Sequence, residues 1–333
     1  MSALTQIDSE PQGTPRHPEV DVAFDPADQA RRVIQNVSGV FLGKDEVVTR
    51  AVLALISGGH ILIEDVPGLG KTLLAKALAK SLSAEFTRVQ FTADLLPSDV
   101  TGVTVFQQDT NAFSFRKGPV FTNVLLGDEI NRATPRTQSS LLEAMEEEQV
   151  SVDGVKHALP SPFFVVATQH PVELEGTYPL PFAQMDRFIL KLSVGYLGKE
   201  AELQMLRSRR TEDPIEQVKP VLSCAALVRI QSVVREVAIA EPLLRYLVDI
   251  IHATRAEPSL EFGGSPRASL DLQRFSQATA LLAGRDYVLP DDIKQSARLI
   301  LPHRFIYRKG TRIVSGAGAE TMGRLLDKIP VPL

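Results

Sequence analysis

The nine residues Glu64-Asp65-Val66-Pro67-Gly68-Leu69-Gly70-Lys71-Thr72 bring glycines, a lysine and a hydroxyl together in the order that phosphate binding requires. Backbone N–H groups from Gly68 to Lys71 can converge on phosphate oxygens, where the start of the following helix adds partial positive charge. Lys71 would reach the β- and γ-phosphates, and the Thr72 hydroxyl would ligate Mg²⁺. Val66, Pro67, Gly68, Leu69, Gly70, Lys71, Thr72 and Leu73 are therefore the expected nucleotide contacts, with ATP and Mg²⁺ as cofactors. Such a loop also needs an acidic group at the tip of a neighbouring strand. Asp128 is placed to hold the metal, and Glu129 beside it to take a proton from an attacking water. Together these groups point to hydrolysis and not to binding alone. The strict loop pattern has glycine at position 65. Asp65 puts a carboxylate there, which is tolerable only if it points away from the phosphates.

These groups need a frame, and the apolar patterning supplies one. His60-Ile61-Leu62-Ile63 reads as a buried strand leading into the loop, and Leu73 to Ala79 is rich in strong helix formers. Strands are predicted at 60–64, 86–91, 122–127, 163–168 and 188–193, alternating with helices. That alternation specifies an α/β fold, a parallel sheet sandwiched by helices with ligands at the carboxyl ends of its strands. Asp25-Pro26 is a helix start. A second helix, with Val47, Val48, Ala51, Val52, Leu55 and Ile56 on its apolar side, stops at Gly58-Gly59. Asp153-Gly154 is a two-residue hairpin turn within 150–157, and 103–106 with 112–116 makes a second hairpin. From about 215 apolar positions recur at helical spacing in 224–238, 241–254, 267–283 and 291–301, with no strand among them. The expected organisation is a disordered arm over 1–24, an α/β nucleotide-binding domain with two hairpin insertions over 25–213, and a small all-helical lid over 214–333.

Composition narrows the class. The 333 residues carry 36 basic and 40 acidic side chains, a net charge of −4, so no bulk attraction to nucleic acid is expected. The single cysteine, Cys224, excludes an internal disulfide and reads as a small core residue. No apolar run approaches the roughly 20 residues of a membrane span. The N-terminus lacks a basic-then-apolar signal, so a cytoplasmic location is expected.

Asp128-Glu129-Ile130-Asn131-Arg132-Ala133, Gln138 to Glu147, Ala167-Thr168-Gln169-His170-Pro171, Glu175 to Pro181 and Asp186-Arg187-Phe188 occur in an order that resembles the MoxR family of AAA+ ATPases. The resemblance spans roughly residues 30 to 305. It implies a ring, expected to be hexameric, that hydrolyses ATP to remodel or mature a client protein, with a von Willebrand factor A domain protein as partner. By the same resemblance Arg187 matches an arginine finger acting on the neighbouring subunit's nucleotide, with an ordinary surface ion pair as the alternative. Arg267 matches a sensor arginine that reads the γ-phosphate in cis, with a solvent-facing first-turn residue as the alternative. Val40 to Gly43, through Leu42 and Gly43, corresponds to an adenine contact, or else to a hydrophobic interhelical turn. The hairpins correspond to pore-facing insertions, so that Phe106, Phe113 and Phe115 either touch a client or pack across strands. His170 stands where the family carries Asn in the sensor segment, and Phe182 where it carries Glu. A nucleic-acid-directed motor and a non-motor ATP-binding switch are the other two functional readings.

Overall fold

The computed structural model describes residues 24–170, 176–208, 213–309 and 316–332. The arm expected over 1–24 lies outside them except for Phe24, whose ring sits 4.1 Å from the Arg229 guanidinium.

In chain order the helices α1 (Pro26–Ser38) and α2 (Asp45–Ile56) lead into β1 (His60–Glu64), α3 (Lys71–Ser81) and β2 (Phe86–Gln90). A short α4 (Pro97–Thr101) precedes the hairpin β3 (Gly102–Gln107) and β4 (Ala112–Lys117). Next come β5 (Val124–Asp128), α5 (Pro135–Glu147), the hairpin β6 (Gln149–Val152) and β7 (Val155–Ala158), and β8 (Phe164–Gln169). The single turn α6 (Phe182–Met185), β9 (Phe188–Leu192) and α7 (Lys199–Ser208) complete the α/β part. The remainder holds α8 (Cys224–Glu236), α9 (Glu241–Ala256), β10 (Leu260–Phe262), α10 (Pro266–Leu282), α11 (Pro290–Ile300), β11 (Ile306–Tyr307) and α12 (Ala317–Lys328).

The five core strands form one sheet, ordered β2-β5-β8-β1-β9, and every neighbouring pair is parallel. Alternate side chains leave opposite faces of a strand, and the core divides accordingly. Ile61, Ile63, Val124, Leu126 and Val166 pack with the helices α2 and α3, whereas Leu62, Leu125, Val165 and Ala167 pack with α5 through Leu141, Leu142 and Met145. The near-continuous apolar runs of β1 and β8 are what burial on both faces demands. Asp25 caps α1 by accepting from the N–H groups of Ala27 and Asp28, with Pro26 at the first helical position.

The Asp-Gly hairpin forms as its turn residues specify, with φ of 50° at Asp153 and 79° at Gly154. In the other hairpin Phe106 opposes Phe113 and their rings meet edge to face at 5.2 Å. That pair stays exposed, at 48% and 75%. Phe115 instead stacks on His157 across the two hairpins at 3.9 Å.

Two local expectations are corrected, and one helix is added to those expected. The segment after 215 is not strand-free: β10 and β11 pair antiparallel as a short ribbon, too brief to give a period-two signal. A further helix, α12, closes the helical part through Met322, Leu325 and Leu326. Cys224 is only half-buried, because it begins α8 instead of facing inward from its middle.

The lid is tied to the sheet by a buried cation. Arg304 is fully buried; it donates to the Asp271 carboxylate at 2.5 Å and to the Phe188 carbonyl at 3.0 Å, and lies 3.4 Å from Asp186. His303 beside it donates from Nε2 to the same Phe188 carbonyl at 3.0 Å. His60, at the start of β1, accepts from the Val165 N–H at Nδ1 and donates from Nε2 to the Met145 carbonyl, both at 3.1 Å. Burial holds the His60 pKa at about 4, and burial with the adjacent Arg304 charge holds that of His303 at about 3. Both are therefore neutral in the folded protein yet protonate near 6.5 when unfolded. The unfolded chain binds more protons below 6.5, so stability is full above that value and is lost as pH falls towards 4 and then 3. Urea unfolding at pH 7 and pH 5 should differ by about 2 kcal/mol per histidine. His60→Gln should show a visibly shallower pH slope than the parent; identical slopes would remove His60 from this role.

Candidate active site

The carboxyl ends of β1, β5 and β8 are neighbours in the sheet, so the residues leaving these three strands meet at one edge. After β1 the chain turns through Gly68 and Gly70, both at φ of +85°, a region that glycine enters freely. Gly70 is the cap of α3, and Lys71 and Thr72 are its first residues. Lys71 is buried, and its ammonium donates to the Asp65 carbonyl at 2.6 Å. Burial pushes its pKa below the usual value, against the pull of Asp65, Asp128, Glu129 and Glu64. An anion entering the cradle would relieve that desolvation.

The Asp65 side chain turns away from the cradle. Its carboxylate accepts from the Ser193 hydroxyl at 3.0 Å, from the Val194 N–H, and from the Gly195 N–H at 3.4 Å. The one departure within the loop thus serves as an anchor for the chain leaving β9.

Two carboxylates stand at the end of β5, each with its own partners. Asp128 accepts from the Thr168 hydroxyl at 2.6 Å and from Arg88 at 2.6 Å. Glu129 accepts from His170 Nε2 at 2.7 Å and pairs with Arg132 Nε at 2.9 Å. The Glu129 backbone is left-handed, φ 58° and ψ 48°, a costly conformation for a side chain of this size and one that concentrates at active sites. It is held there by an N–H bond to the Thr168 hydroxyl at 2.9 Å. Thr168 therefore bridges the two acidic residues. His170 is buried, its backbone N–H is accepted by the Asn131 side chain at 3.3 Å, and its Nδ1 has no partner among the described residues.

Gly68, Gly70, Lys71, Thr72, Arg88, Asp128, Glu129, Thr168 and His170 line one cavity of about 270 Å³. A second cavity, of about 290 Å³, opens on the other side of Pro67 and Gly68. Its walls are mostly apolar, with Val40, Phe41 and Leu42, Leu69 and Leu73, Val194 to Leu197 and Met205 of α7, while Lys44, Glu202 and Ser208 add polar groups. A polyphosphate in the first and a flat aromatic base in the second would share the loop between them. Of the expected contacts, Leu42 lines the second cavity. Gly43 lies behind its wall, where an added Cβ would come 2.6 Å from that of Ala201. Val66 is 38% exposed and lines neither cavity.

The two arginines singled out in the sequence come together, but elsewhere. Arg187 and Arg267 bind the two oxygens of Glu146, at 2.8 and 3.0 Å. Glu146 follows Met145, whose carbonyl meets His60 at the amino end of β1, and Phe188 pairs with His60 in the sheet. Both arginines thus lie at the edge opposite the phosphate loop, a strand length of roughly 16 Å away. The reading of Arg267 as a sensor in cis is corrected accordingly: α10 starts from Ser265, whose hydroxyl donates to Asp186 at 2.7 Å, and this fixes Arg267 beside Arg187. Phe182, where a glutamate was the usual residue, stacks on Phe262 of β10 with ring centroids 6.3 Å apart.

Arg88, Gln90, Arg132 and Thr168 were not foreseen. The signal for the first two was present in β2, where Arg88 and Gln90 alternate with buried or half-buried neighbours. It becomes readable only once β2 is known to pair with β5, Gln90 opposite Asp128.

Residues 60–190 match the model of the ATPase family associated with various cellular activities (AAA), and residues 252–319 that of the AAA lid domain. The chain is 41% identical over 310 residues to the chaperone MoxR1 of Mycobacterium tuberculosis, covering 90% of this chain and 82% of that one. It belongs to the MoxR family of AAA+ ATPases. The uncharacterized protein YeaC of Bacillus subtilis is 46% identical over 303 residues, 91% of this chain and 94% of that one. The crystal structure of a candidate ATPase from Cytophaga hutchinsonii superposes with a TM-score of 0.83 at 39% identity, covering 92% of this chain and 96% of that one. The MoxR-family chain is thus an ATP-hydrolysing enzyme of α/β AAA+ fold with a helical lid. No helix among its described residues is long and apolar enough to cross a membrane.

Restoring the loop glycine should not improve this MoxR-family site. Asp65→Gly removes three hydrogen bonds to 193–195, the segment that walls the apolar cavity. The variant should lose about 1–3 kcal/mol of stability and bind nucleotide more weakly. Thermal melts with and without ADP check this; tighter binding at unchanged melting temperature would show that the carboxylate repels phosphate.

Proposed function

We propose that this MoxR-family ATPase holds ATP with its phosphates against Lys71 and its base in the apolar cavity, and hydrolyses it with Glu129 as general base. The observation that carries this reading is the convergence of Lys71, Thr72, Asp128 and Glu129 on one cavity from separate strand ends. The Thr72 hydroxyl and the Asp128 carboxylate are hard oxygen donors on that cavity, the donor set that suits Mg²⁺. Held by these two, the ion would supply charge neutralisation at the phosphate oxygens. Lys71 and the loop N–H groups position the phosphates. Glu129 takes the proton of the attacking water, and His170 and Arg132 hold its carboxylate in place while it does so. Thr168 keeps the metal-side and base-side carboxylates at a fixed spacing.

Assembly would draw on the opposite edge of the sheet. Arg187 and Arg267 place two guanidinium groups on one carboxylate away from the chain's own site, leaving positive charge to present outward. In a closed ring, which we take to be a hexamer, they would serve the nucleotide of the next subunit and supply charge to the transition state. The exposed pair Phe106 and Phe113 offers an apolar contact to a client protein. The name of MoxR1 supports a chaperone-like role in remodelling that client, and the family resemblance supports a von Willebrand factor A domain partner.

Lys71→Ala should abolish nucleotide binding, whereas Glu129→Gln should bind ATP and fail to turn it over, because only the glutamate acts mainly in the chemical step. Unchanged turnover in Glu129→Gln would move the base role to another group.

Arg187→Ala should bind ATP normally and hydrolyse it roughly 10³–10⁵-fold more slowly if it acts as an arginine finger. Mixing it with Glu129→Gln subunits, each nearly inactive alone, should return part of the activity. Native mass spectrometry would verify co-assembly. A co-assembled mixture that stays inactive would reduce Arg187 to the partner of Glu146.

A further inference from the structure

We infer that Arg88 is a triphosphate-selecting cation, released from Asp128 when the metal binds and taken up by the γ-phosphate. The inference rests on the nucleotide reading of the same cavity and adds to it the group that distinguishes ATP from ADP.

Arg88 lies on β2, the edge strand next to β5, and its side chain is 49% exposed. It lines the phosphate cavity together with Lys71, Thr72, Asp128 and Glu129. One guanidinium nitrogen lies 2.6 Å from Asp128 Oδ2 and 3.2 Å from the Gln90 side-chain oxygen. The other Asp128 oxygen is committed to the Thr168 hydroxyl at 2.6 Å. Arg88 therefore occupies the free side of the carboxylate expected to serve the metal.

A Mg²⁺ held by Asp128 would compete with Arg88 for that oxygen, since like charges at that spacing repel. Arg88 can yield because half of its side chain faces solvent and its only described partners are Asp128 and Gln90. Lys71 cannot yield in the same way, being buried and bonded to the Asp65 carbonyl at 2.6 Å. The γ-phosphate brings new negative charge into the same cavity, and its oxygens match the planar fork of a guanidinium. ADP brings no such group. With ADP bound, Arg88 gains nothing at the phosphates and stays in contest for Asp128. With ATP bound, it exchanges one anionic partner for another. The loop makes this distinction less sharply, because the cradle and Lys71 also serve the β-phosphate.

Isothermal titration of the full chain with Mg²⁺ and either a non-hydrolysable ATP analogue or ADP tests the assignment without turnover. Arg88→Ala should bind the ATP analogue about tenfold more weakly, while ADP affinity stays within about threefold of the parent, since one charge-assisted hydrogen-bonded contact is lost only with the triphosphate. Arg88→Lys keeps the charge but not the fork. It should lose about threefold for the ATP analogue alone, and it provides the test should the alanine variant not fold. Equal weakening for both nucleotides would make Arg88 a positioning partner of Asp128 and overturn the inference, as would no change for either. A parent protein that bound neither nucleotide would overturn the nucleotide reading first, and this inference with it.

Discussion

Two carboxylates on consecutive residues, at the end of one strand and beside a lysine, repel each other unless the backbone parts them. That repulsion organises the rest of the site. Glu129 sits in a left-handed turn, and the two carboxylates meet separate partners, Arg88 for Asp128 and Arg132 with His170 for Glu129. The strain of that turn is held by the Thr168 hydroxyl, which binds the backbone of one residue and the side chain of the other. Thr168 can do this because β8 lies between β5 and β1. The order of strands is thus a requirement of the chemistry as much as of the core.

The parts of this arrangement carried by local pattern were readable in the sequence. The phosphate loop, the five strands, the Asp-Gly hairpin and the major lid helices each announce themselves through spacing, turn residues or apolar period. The unreadable parts depend on contacts between distant segments. Arg88 became part of the site through a strand pairing that no local signal encodes. Arg267 was misplaced because a helix start says nothing about which edge of the sheet it meets; the bond from Ser265 to Asp186 decides that. The β10–β11 ribbon joins segments more than forty residues apart through two short strands, below the length at which alternation can be seen.

The lid is also more than a cover. Arg304 reaches from the helical part into the start of β9, where it binds the carbonyl of the residue after Arg187. Burying an unpaired guanidinium there would be costly, so Asp271 and Asp186 come with it. The same few residues therefore join lid to sheet and fix the arginines offered at the far edge. A rotation of the lid relative to the sheet would have to break charged contacts in a dry site, which favours the two parts moving together.

The aspartate in the phosphate loop bears on how such loops are recognised. A pattern that insists on glycine at position 65 would pass over this chain, although its cradle is intact. What the position demands is not the absence of a side chain but an exit route for one, and here the exit leads to 193–195. The glycines that cannot be replaced without strain are Gly68 and Gly70, where the backbone itself is left-handed. A search pattern that weighted positions by backbone dihedral instead of by residue frequency would keep those two and release the first. It would then admit relatives that a literal consensus discards.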